Sequence, residues 1–352
     1  MRILYGVVGE GMGHATRSRV VIEHLLGRGH EVDVVASDRA FPFLRTAFEG
    51  RAGFTAHEIH GLHLDYRDNV LSVGRSLASN LGEAPMGLAK NIATYIRATR
   101  PSGGDDALDP DVVISDFESW AYFYGLNHFL PVISIDNMQI INRCVHPPAI
   151  TRDPSFQLAK AAVKIKLPMA WHYLVTTFFY PEVRKDRTTL VPPLLRPAIL
   201  QARREPGEHV LVYQTAANPG LLPFLQRLPG TFRVYGLGLE GERGNVSLRP
   251  FSEQGFVDDL RTARAAVAGG GFSLMSECVH LGVPLFAVPI DGQYEQELNA
   301  RYLTELGYGD WAPRFEEQRV AAFLAAPPAR TTYVPEDNQR TFDAVDGLLA
   351  RL

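Results

Sequence analysis

Residues 264–300 read RAAVAGGGFSLMSECVHLGVPLFAVPIDGQYEQELNA and set the pattern that the rest of the chain follows. Ala265 to Ala268 form a short apolar run, and three glycines come directly after it. From Phe272 onward the apolar residues recur at a helical spacing until Gly282, a residue type that commonly ends a helix. Pro284 to Ile290 form the next apolar run. The pattern therefore predicts a strand, a glycine turn, a helix and a second strand.

A glycine turn between a strand and a helix suits an anion. The first amides of a helix have no partner inside it, and the helix dipole makes that end partly positive. We therefore expect a diphosphate to bind at the turn, on Gly270, Gly271, Phe272 and Ser273. Glu277 lies further into the helix, where its carboxylate is predicted to accept hydrogen bonds from two ribose hydroxyls. Glu295 and Gln296 begin a second helical pattern, and their polar tips are predicted to bind sugar hydroxyls.

Several sequence elements at fixed spacings support the same interpretation, for which a glycine turn alone would be weak evidence. The combination of Gly271, Ser276-Glu277, Pro289 and the run from Glu295 to Ala300 resembles the donor-binding signature of GT-B glycosyltransferases. Among them the chain is most similar to the lipid-I N-acetylglucosaminyltransferase and to the UDP-glucosyl- and glucuronosyltransferases. The resemblance implies an α/β fold with two Rossmann-like domains facing a cleft. It places an acceptor domain at residues 1–197, a nucleotide-sugar domain at 207–335 and a returning C-terminal helix at 336–352.

The N-terminus contains a second glycine loop, which follows the predicted first strand. Gly11-Met12-Gly13-His14 and Arg17 resemble the G-x-G-H-x-x-R turn of the same enzymes. There the loop faces the acceptor, and the resemblance makes His14 the candidate base. Asp116 ends another predicted strand, so both residues should lie at the carboxyl edge of one sheet, where the aspartate would orient the histidine.

Plainer interpretations of these residues stay open. His14 would then be a neighbour of a helix cap without chemistry, and Asp116 would cap the helix that follows it. The glycine loop also approximates a dinucleotide fingerprint, but it does not keep the spacing beyond its second glycine.

The resemblance assigns further donor contacts. Arg196 corresponds to an arginine near the diphosphate, and Thr215 lies in a turn that is plausible for phosphate. The segment from Phe251 to Asp259 resembles a loop whose backbone reads the uracil edge, with Phe256 and Val257 opposite the base.

Composition bounds the remaining possibilities. The chain has 352 residues, enough for about two domains, and its net charge of −4 gives no general footprint for nucleic acid. Cys144 and Cys278 lack metal-like spacing and favour a reducing compartment. No segment predicts a signal peptide or a spanning helix, so we expect a cytoplasmic protein. We also expect no metal, because Asp109-Pro110-Asp111 only imitates a D-x-D motif in a predicted turn.

The acceptor side is the least informative part. Residues 60–90 and 136–155 are expected to form the surface near His14, the latter as a loop. The helix predicted at Phe156 to Leu167 carries Lys160, Lys164 and Lys166. These lysines suit an anionic membrane if the acceptor is lipid-linked, but a solvated basic face is the favoured explanation, because lysine on an exposed helix needs no partner.

The predicted function is therefore inverting, metal-independent sugar transfer from a nucleotide diphosphate sugar, with a UDP-sugar as the favoured donor, to an acceptor hydroxyl. The acceptor is a small molecule or a lipid-linked one, and no cofactor is expected. The alternatives are a UDP-sugar hydrolase or a sugar-nucleotide epimerase on the same scaffold, and a sugar-nucleotide-binding protein without turnover.

Overall fold

Each half of the chain builds one seven-stranded sheet. The computed structural model describes residues 1–9, 11–61, 66–67, 70–71, 86–96, 108–214, 218–328 and 336–352. The first compact unit comprises Met1–Leu64, Val73–Leu194 and Asn338–Leu352. The second comprises Asp65–Ser72 and Leu195–Asp337.

Three neighbouring strands in the middle of the first sheet, at Arg2–Val7, Val112–Asp116 and Val132–Asp136, are buried apolar runs with valine and isoleucine, as expected for parallel strands covered on both faces. The strands of this sheet are β1 (Arg2–Val7), β2 (Glu31–Ala36), β3 (Phe54–Glu58), β6 (Val112–Asp116), β7 (Val132–Asp136), β8 (His172–Thr176) and β9 (Thr188–Val191), with a separate hairpin of β4 (Tyr66–Arg67) and β5 (Val70–Leu71). The order across the sheet is β3-β2-β1-β6-β7-β8-β9, and every pair is parallel. The chain adds strands to one side of β1 as far as β3 and then continues on the other side with β6. The strand order therefore reverses between β1 and β6, and a switch point lies at their carboxyl ends.

The helices of the first unit connect these strands and cover the sheet. They are α1 (Met12–Gly27), α2 (Ala40–Ala47), α3 (residues 86–96), α4 (Ser119–Asn127), α5 (Ile140–Arg143), α6 (Pro148–Thr151), α7 (Pro154–Lys166) and α14 (Gln339–Leu349). The last helix, α14, packs Val345 and Leu348 into the same core as Ile3 and Ile22. The C-terminal helix thus belongs to the first unit.

The second sheet repeats the arrangement with shorter strands. They are β10 (Val210–Tyr213), β11 (Phe232–Tyr235), β12 (Gly241–Arg243), β13 (Val246–Leu248), β14 (Ala265–Ala268), β15 (Leu285–Ala287) and β16 (Gly309–Trp311). The order is β12-β13-β11-β10-β14-β15-β16, parallel except for the β12–β13 pair. The helices of this unit are α8 (Pro197–Gln201), α9 (Leu221–Arg227), α10 (Glu253–Thr262), α11 (Phe272–Leu281), α12 (Tyr294–Glu305) and α13 (Glu317–Ala325). The α/β architecture predicted from the sequence is confirmed.

Three local predictions are wrong. The helix after the first glycine loop begins at Met12, so Met12 and Gly13 lie in its first turn and only Gly11, with φ of 81°, remains in the turn. Residues 136–155, expected as a loop, contain two short helices. The expected base-reading loop is α10, which Ser252 caps by accepting a hydrogen bond from the amide of Gly255.

Candidate active site

The parallel pairing of β1 and β6 brings His14 to Asp116. Val7, the last residue of β1, stands beside Asp116, the last residue of β6. The chain then turns through Gly11 into α1, whose first turn contains His14. The Nδ1 atom of His14 lies 2.8 Å from Oδ1 of Asp116. The structure thus brings the two predicted catalytic residues together across 102 positions of sequence.

Asp116 is completely buried, and both of its carboxylate oxygens accept hydrogen bonds. The Nε atom of Arg17 donates to Oδ2 at 2.8 Å, and the hydroxyl of Ser18 donates to the same oxygen at 2.9 Å. The Nη2 atom of Arg17 pairs with Oδ1. Burial alone would raise the pKa of Asp116, but the Arg17 guanidinium and His14 hold that pKa at about 2. The carboxylate is therefore ionised at neutral pH.

His14 is suited to be a base because its environment keeps it neutral. Burial is the main cause that lowers the pKa of His14, and the positive charge of Arg17 adds to it. The side chain is still 19% exposed, so the ring is accessible on one side. If Nδ1–H donates to Asp116, the lone pair is on Nε2, which can then take a proton. The Nη2 atom of Arg17 also lies 2.7 Å from Nδ1, so the guanidinium stands beside the same ring atom.

Asp116 does not cap the helix that follows it. The N-cap of α4 is Glu118, whose carboxylate accepts from the amides of Trp120 and Ala121 at 2.7 Å each. Phe117, between the two acids, has a positive φ of 55°, a costly conformation for a bulky residue. This turn separates the two carboxylates, and the capping interpretation of Asp116 is wrong.

The sequence reasoning did not identify the partner that holds Arg17 from its other side. The Nη1 atom of Arg17 donates to Oδ1 of Asn137 at 2.9 Å, directly after β7. Its neighbour Asp136 is fully buried and accepts from Ser134 and from the amide of Gln139. Burial raises the pKa of Asp136 to about 6. A polar residue at the end of each successive strand was the available signal.

In the second unit, α11 begins where β14 ends, as predicted. Gly271 is the N-cap residue, and a Cβ placed there would meet no atom within 4 Å. Gly270 differs, because a Cβ there would approach the main-chain oxygen of Gln296 to 2.4 Å. This glycine is therefore needed for the close approach of α12.

Gln296 organises the glycine turn. Its Oε1 accepts hydrogen bonds from the amides of Gly270 at 3.0 Å and Ile290 at 3.1 Å, and its Nε2 donates to Gln293. Without ligand the Gly270 amide and Oε1 of Gln296 bind each other, and the predicted contacts of this amide with phosphate and of Gln296 with sugar hydroxyls stay predictions. Asn299, which sequence reasoning missed, donates to the carbonyl of Gly270 at 3.2 Å.

Two predicted donor residues bind each other. Nε and Nη2 of Arg196 donate to the two carboxylate oxygens of Glu277, each at 2.8 Å. Both side chains are largely buried, with 12% and 7% of their side-chain area exposed. Glu253 lies 3.5 Å from the same guanidinium, and the Phe256 ring centre lies 5.5 Å from its carbon. Arg196 thus binds a carboxylate in this structure, and its predicted contact with the diphosphate stays a prediction.

The other predicted donor contacts divide into three cases. Phe256 and Val257 are buried in α10, where the Phe256 amide donates to the carbonyl of Ser252, and the predicted contact of this segment with the base stays a prediction. Thr215 lies outside the described residues. Glu295 accepts from the side chain of Asn299 at 2.5 Å, and its predicted contact with sugar stays a prediction.

Two features are absent from the part of the chain that the structure describes. Those residues contain no group of three or more metal-ligating side chains that could hold an ion. None of the described helices is both long enough and apolar enough to cross a membrane.

Known structures with this arrangement are glycosyltransferases of the GT-B fold. The glycosyltransferase of kitacinnamycin superposes with a TM-score of 0.64 at 18% identity, covering 100% of this chain and 99% of that one. CalG4, the calicheamicin glycosyltransferase, gives 0.63 at 17% identity over 100% and 98%. Arabidopsis thaliana UGT89C1, solved with UDP-L-rhamnose, gives 0.64 at 15% identity over 99% and 98%. The predicted GT-B fold is confirmed.

The sequence comparison leads to the family. The model of glycosyl transferase family 1 matches residues 1–328, and the chain belongs to that family. It is 25% identical over 344 residues to an uncharacterized glycosyltransferase of Methanosarcina acetivorans, covering 88% of this chain and 85% of that protein. A protein of the same description from Methanosarcina mazei is also 25% identical, over 358 residues. The protein is a glycosyltransferase, as predicted.

Proposed function

We propose that this glycosyltransferase moves a sugar from a UDP-sugar to an acceptor hydroxyl with inversion and without a metal ion. The observation that carries the proposal is the 2.8 Å contact between His14 and the buried carboxylate of Asp116. A base must be neutral before it takes a proton, and the lowered pKa of His14 meets that need.

In the proposed reaction Nε2 of His14 takes the proton of the acceptor hydroxyl. The acceptor oxygen then forms a bond to the anomeric carbon, and the bond from that carbon to the diphosphate breaks. Asp116 stabilises the imidazolium that forms, while Arg17 and Ser18 hold Asp116 in place. Base catalysis of this kind contributes typically about 10²–10⁴ in rate.

The donor half of the proposal rests on the second unit. The N-terminus of α11 supplies amides and a partial positive charge for the diphosphate leaving group, at the open position beside Gly271. Glu277 keeps two carboxylate lone pairs beyond those used by Arg196, and these suit ribose hydroxyls. Relatives of the same fold have been solved with UDP and with UDP-L-rhamnose, which supports a UDP-sugar donor. One relative was solved with quercetin, which supports a small hydroxyl-bearing acceptor over a lipid-linked one.

The test measures UDP release from a panel of UDP-sugars, first without acceptor and then with a panel of phenols and alcohols. We expect one UDP-sugar to bind with only trace hydrolysis and to turn over when an acceptor is added. His14→Ala should lower turnover by roughly 10²–10⁴ with little change in donor affinity. His30→Ala is the matched control, because His30 precedes β2 at the opposite edge of the sheet.

Two outcomes would contradict the proposal. Rapid stoichiometric turnover in water that His14→Ala abolishes would identify a hydrolase. Absence of binding to every UDP-sugar would remove the donor assignment.

A further inference from the structure

The face of α7 that points away from the core is apolar. Leu158 and Ile165 are 74% and 75% exposed, and Met169, just beyond the helix, is 67% exposed. Seven residues make nearly two helical turns, so Leu158 and Ile165 share one side. Ala161 and Ala162 continue that side between them and are exposed as well. The helix meanwhile packs through Phe156 and Val163, which are buried on its opposite side.

Lysine is concentrated around this apolar face. The whole chain contains five lysines among 35 lysines and arginines, and four of the five are Lys160, Lys164, Lys166 and Lys185. At about 100° per residue, Lys164 and Lys166 lie on opposite flanks of the apolar face. The helix itself contains no acidic residue. A net charge of −4 for the chain makes this local excess of positive charge unusual.

The segment at Arg184 and Lys185 adds to the same charge. Arg184 donates to the carbonyl of Asn142 at 3.0 Å, and Nζ of Lys185 donates to the side-chain oxygen of the same residue at 2.6 Å. Asn142 belongs to α5, which packs on α7. Burial and then the positive charges of Arg184 and Lys164 lower the pKa of Lys160, as expected for neighbouring cations.

Four of the cations around this face form no salt bridge with a carboxylate that the structure describes. Among the residues that the structure describes, Lys160, Lys164, Arg184 and Lys185 all lack one. Glu182 and Asp186 flank the pair at 184–185 and are exposed. Exposed apolar side chains that share one contiguous face and are rimmed by polar residues mark an interaction site, unlike single scattered ones.

We propose that the face formed by α7, Met169 and residues 184–185 is a docking surface for an anionic lipid bilayer. Exposed aliphatic side chains flanked by Lys164 and by the pair at Arg184 and Lys185 match the chemistry of that interface, whereas the ammonium group of Lys160 lies over the buried Phe156 ring. The aliphatic side chains enter the acyl boundary, and the ammonium groups remain at the phosphate level. The proposal concerns where the enzyme works and does not depend on the identity of its donor or acceptor.

The test is flotation of the full chain with lipid vesicles at low and high salt. We expect binding to phosphatidylcholine vesicles that contain about one third phosphatidylglycerol, and no binding to phosphatidylcholine alone. Binding should decrease at high salt, since the Debye length shrinks from about 10 Å at 0.1 M to about 3 Å at 1 M. Equal binding to both vesicle types, or absence of binding to either, would overturn the proposal.

Two double variants separate the apolar and the charged contributions. Leu158→Ser with Ile165→Ser should abolish flotation, because these side chains are the parts that enter the lipid. Lys164→Gln with Lys185→Gln should weaken binding roughly 25-fold, since each basic residue near an anionic surface contributes about fivefold. Leu158, Lys164 and Ile165 are exposed, and the hydrogen bond of Lys185 is to the side chain of Asn142, so the fold should be retained.

Matched controls come from exposed residues of the second unit. Leu239→Ser and the double variant Arg243→Gln with Arg314→Gln should leave flotation unchanged. UDP-sugar binding, measured on every variant, should be unaffected, which distinguishes failure of this proposal from failure of the donor assignment. A dimer in light scattering that Leu158→Ser with Ile165→Ser dissociates would mean that a second copy covers the face, and would refute the bilayer.

Discussion

Substitutions of Arg17 and Asp116, which form a buried ion pair, should have strongly coupled effects on the free energy of unfolding. The two side chains have 4% and 1% of their area exposed, so replacing either one alone leaves an unpaired charge in the interior. Such a loss typically costs about 3–5 kcal/mol. We therefore expect Asp116→Asn and Arg17→Gln each to destabilise the first unit by about 3–5 kcal/mol. The double variant should cost at least about 2 kcal/mol less than the sum of the two, because it leaves no unpaired charge.

The exposed pair between Arg227 and Glu317 is the matched control. Its atoms are 2.8 Å apart, but the side chains are 55% and 48% exposed. Water and salt screen such a pair, so its coupling energy should be about 0–1 kcal/mol in the same kind of cycle.

Amide hydrogen exchange read by mass spectrometry suits this measurement, because the chain has two units and a single unfolding free energy is poorly defined. Peptides that contain β6 should exchange roughly 100-fold faster or more in each single variant, whereas peptides that contain β10 should not change. If the losses in the single variants simply add in the double variant, the inference that the buried pair acts as one unit is wrong.

Three further predictions concern the site. The acid limb of the turnover profile should have its midpoint below pH 6.5, the ordinary value for histidine, because burial and Arg17 lower the pKa of His14; a midpoint above pH 6.5 would contradict this. Gly270→Ala should destabilise the second unit and weaken donor binding, since its Cβ would approach an α12 carbonyl oxygen to 2.4 Å. The Cβ of Gly271→Ala meets no atom within 4 Å, so this variant should keep the midpoint temperature of thermal unfolding that the unchanged protein has. Arg196→Lys should raise the KM for the donor more than it lowers kcat, because a lysine cannot hold both oxygens of Glu277; an unchanged KM would exclude a positioning role for Arg196.

Sequence reasoning succeeded where local pattern and chain direction were sufficient. Strand, glycine turn and helix could be read from apolar spacing, and the ends of β1 and β6 had to meet once the strands were parallel. His14 and Asp116 followed from that rule. The helix start at Met12 was missed because glycine at residue 13 favours a turn, although tertiary packing of α1 outweighs its low helix propensity.

Side-chain pairing could not be read in the same way. Arg196 and Glu277 are 81 positions apart, and nothing in either local segment indicates that they share a bidentate contact. The role of Gln296 in holding the Gly270 amide depends on how closely α12 approaches the turn. These contacts depend on the packing of separate helices, which spacing does not encode.

The sequence by itself determined the α/β alternation, the two glycine turns and the family to which the chain belongs. It did so because strand and helix periods are local properties, and because ligand sites lie at the carboxyl ends of parallel strands. Only the tertiary structure decided which cation neutralises Asp116, which side chain holds the Gly270 amide and which side of α7 is left exposed. Those outcomes depend on burial, since the charge state of a group and the partner that it needs are set by the side chains that exclude water around it.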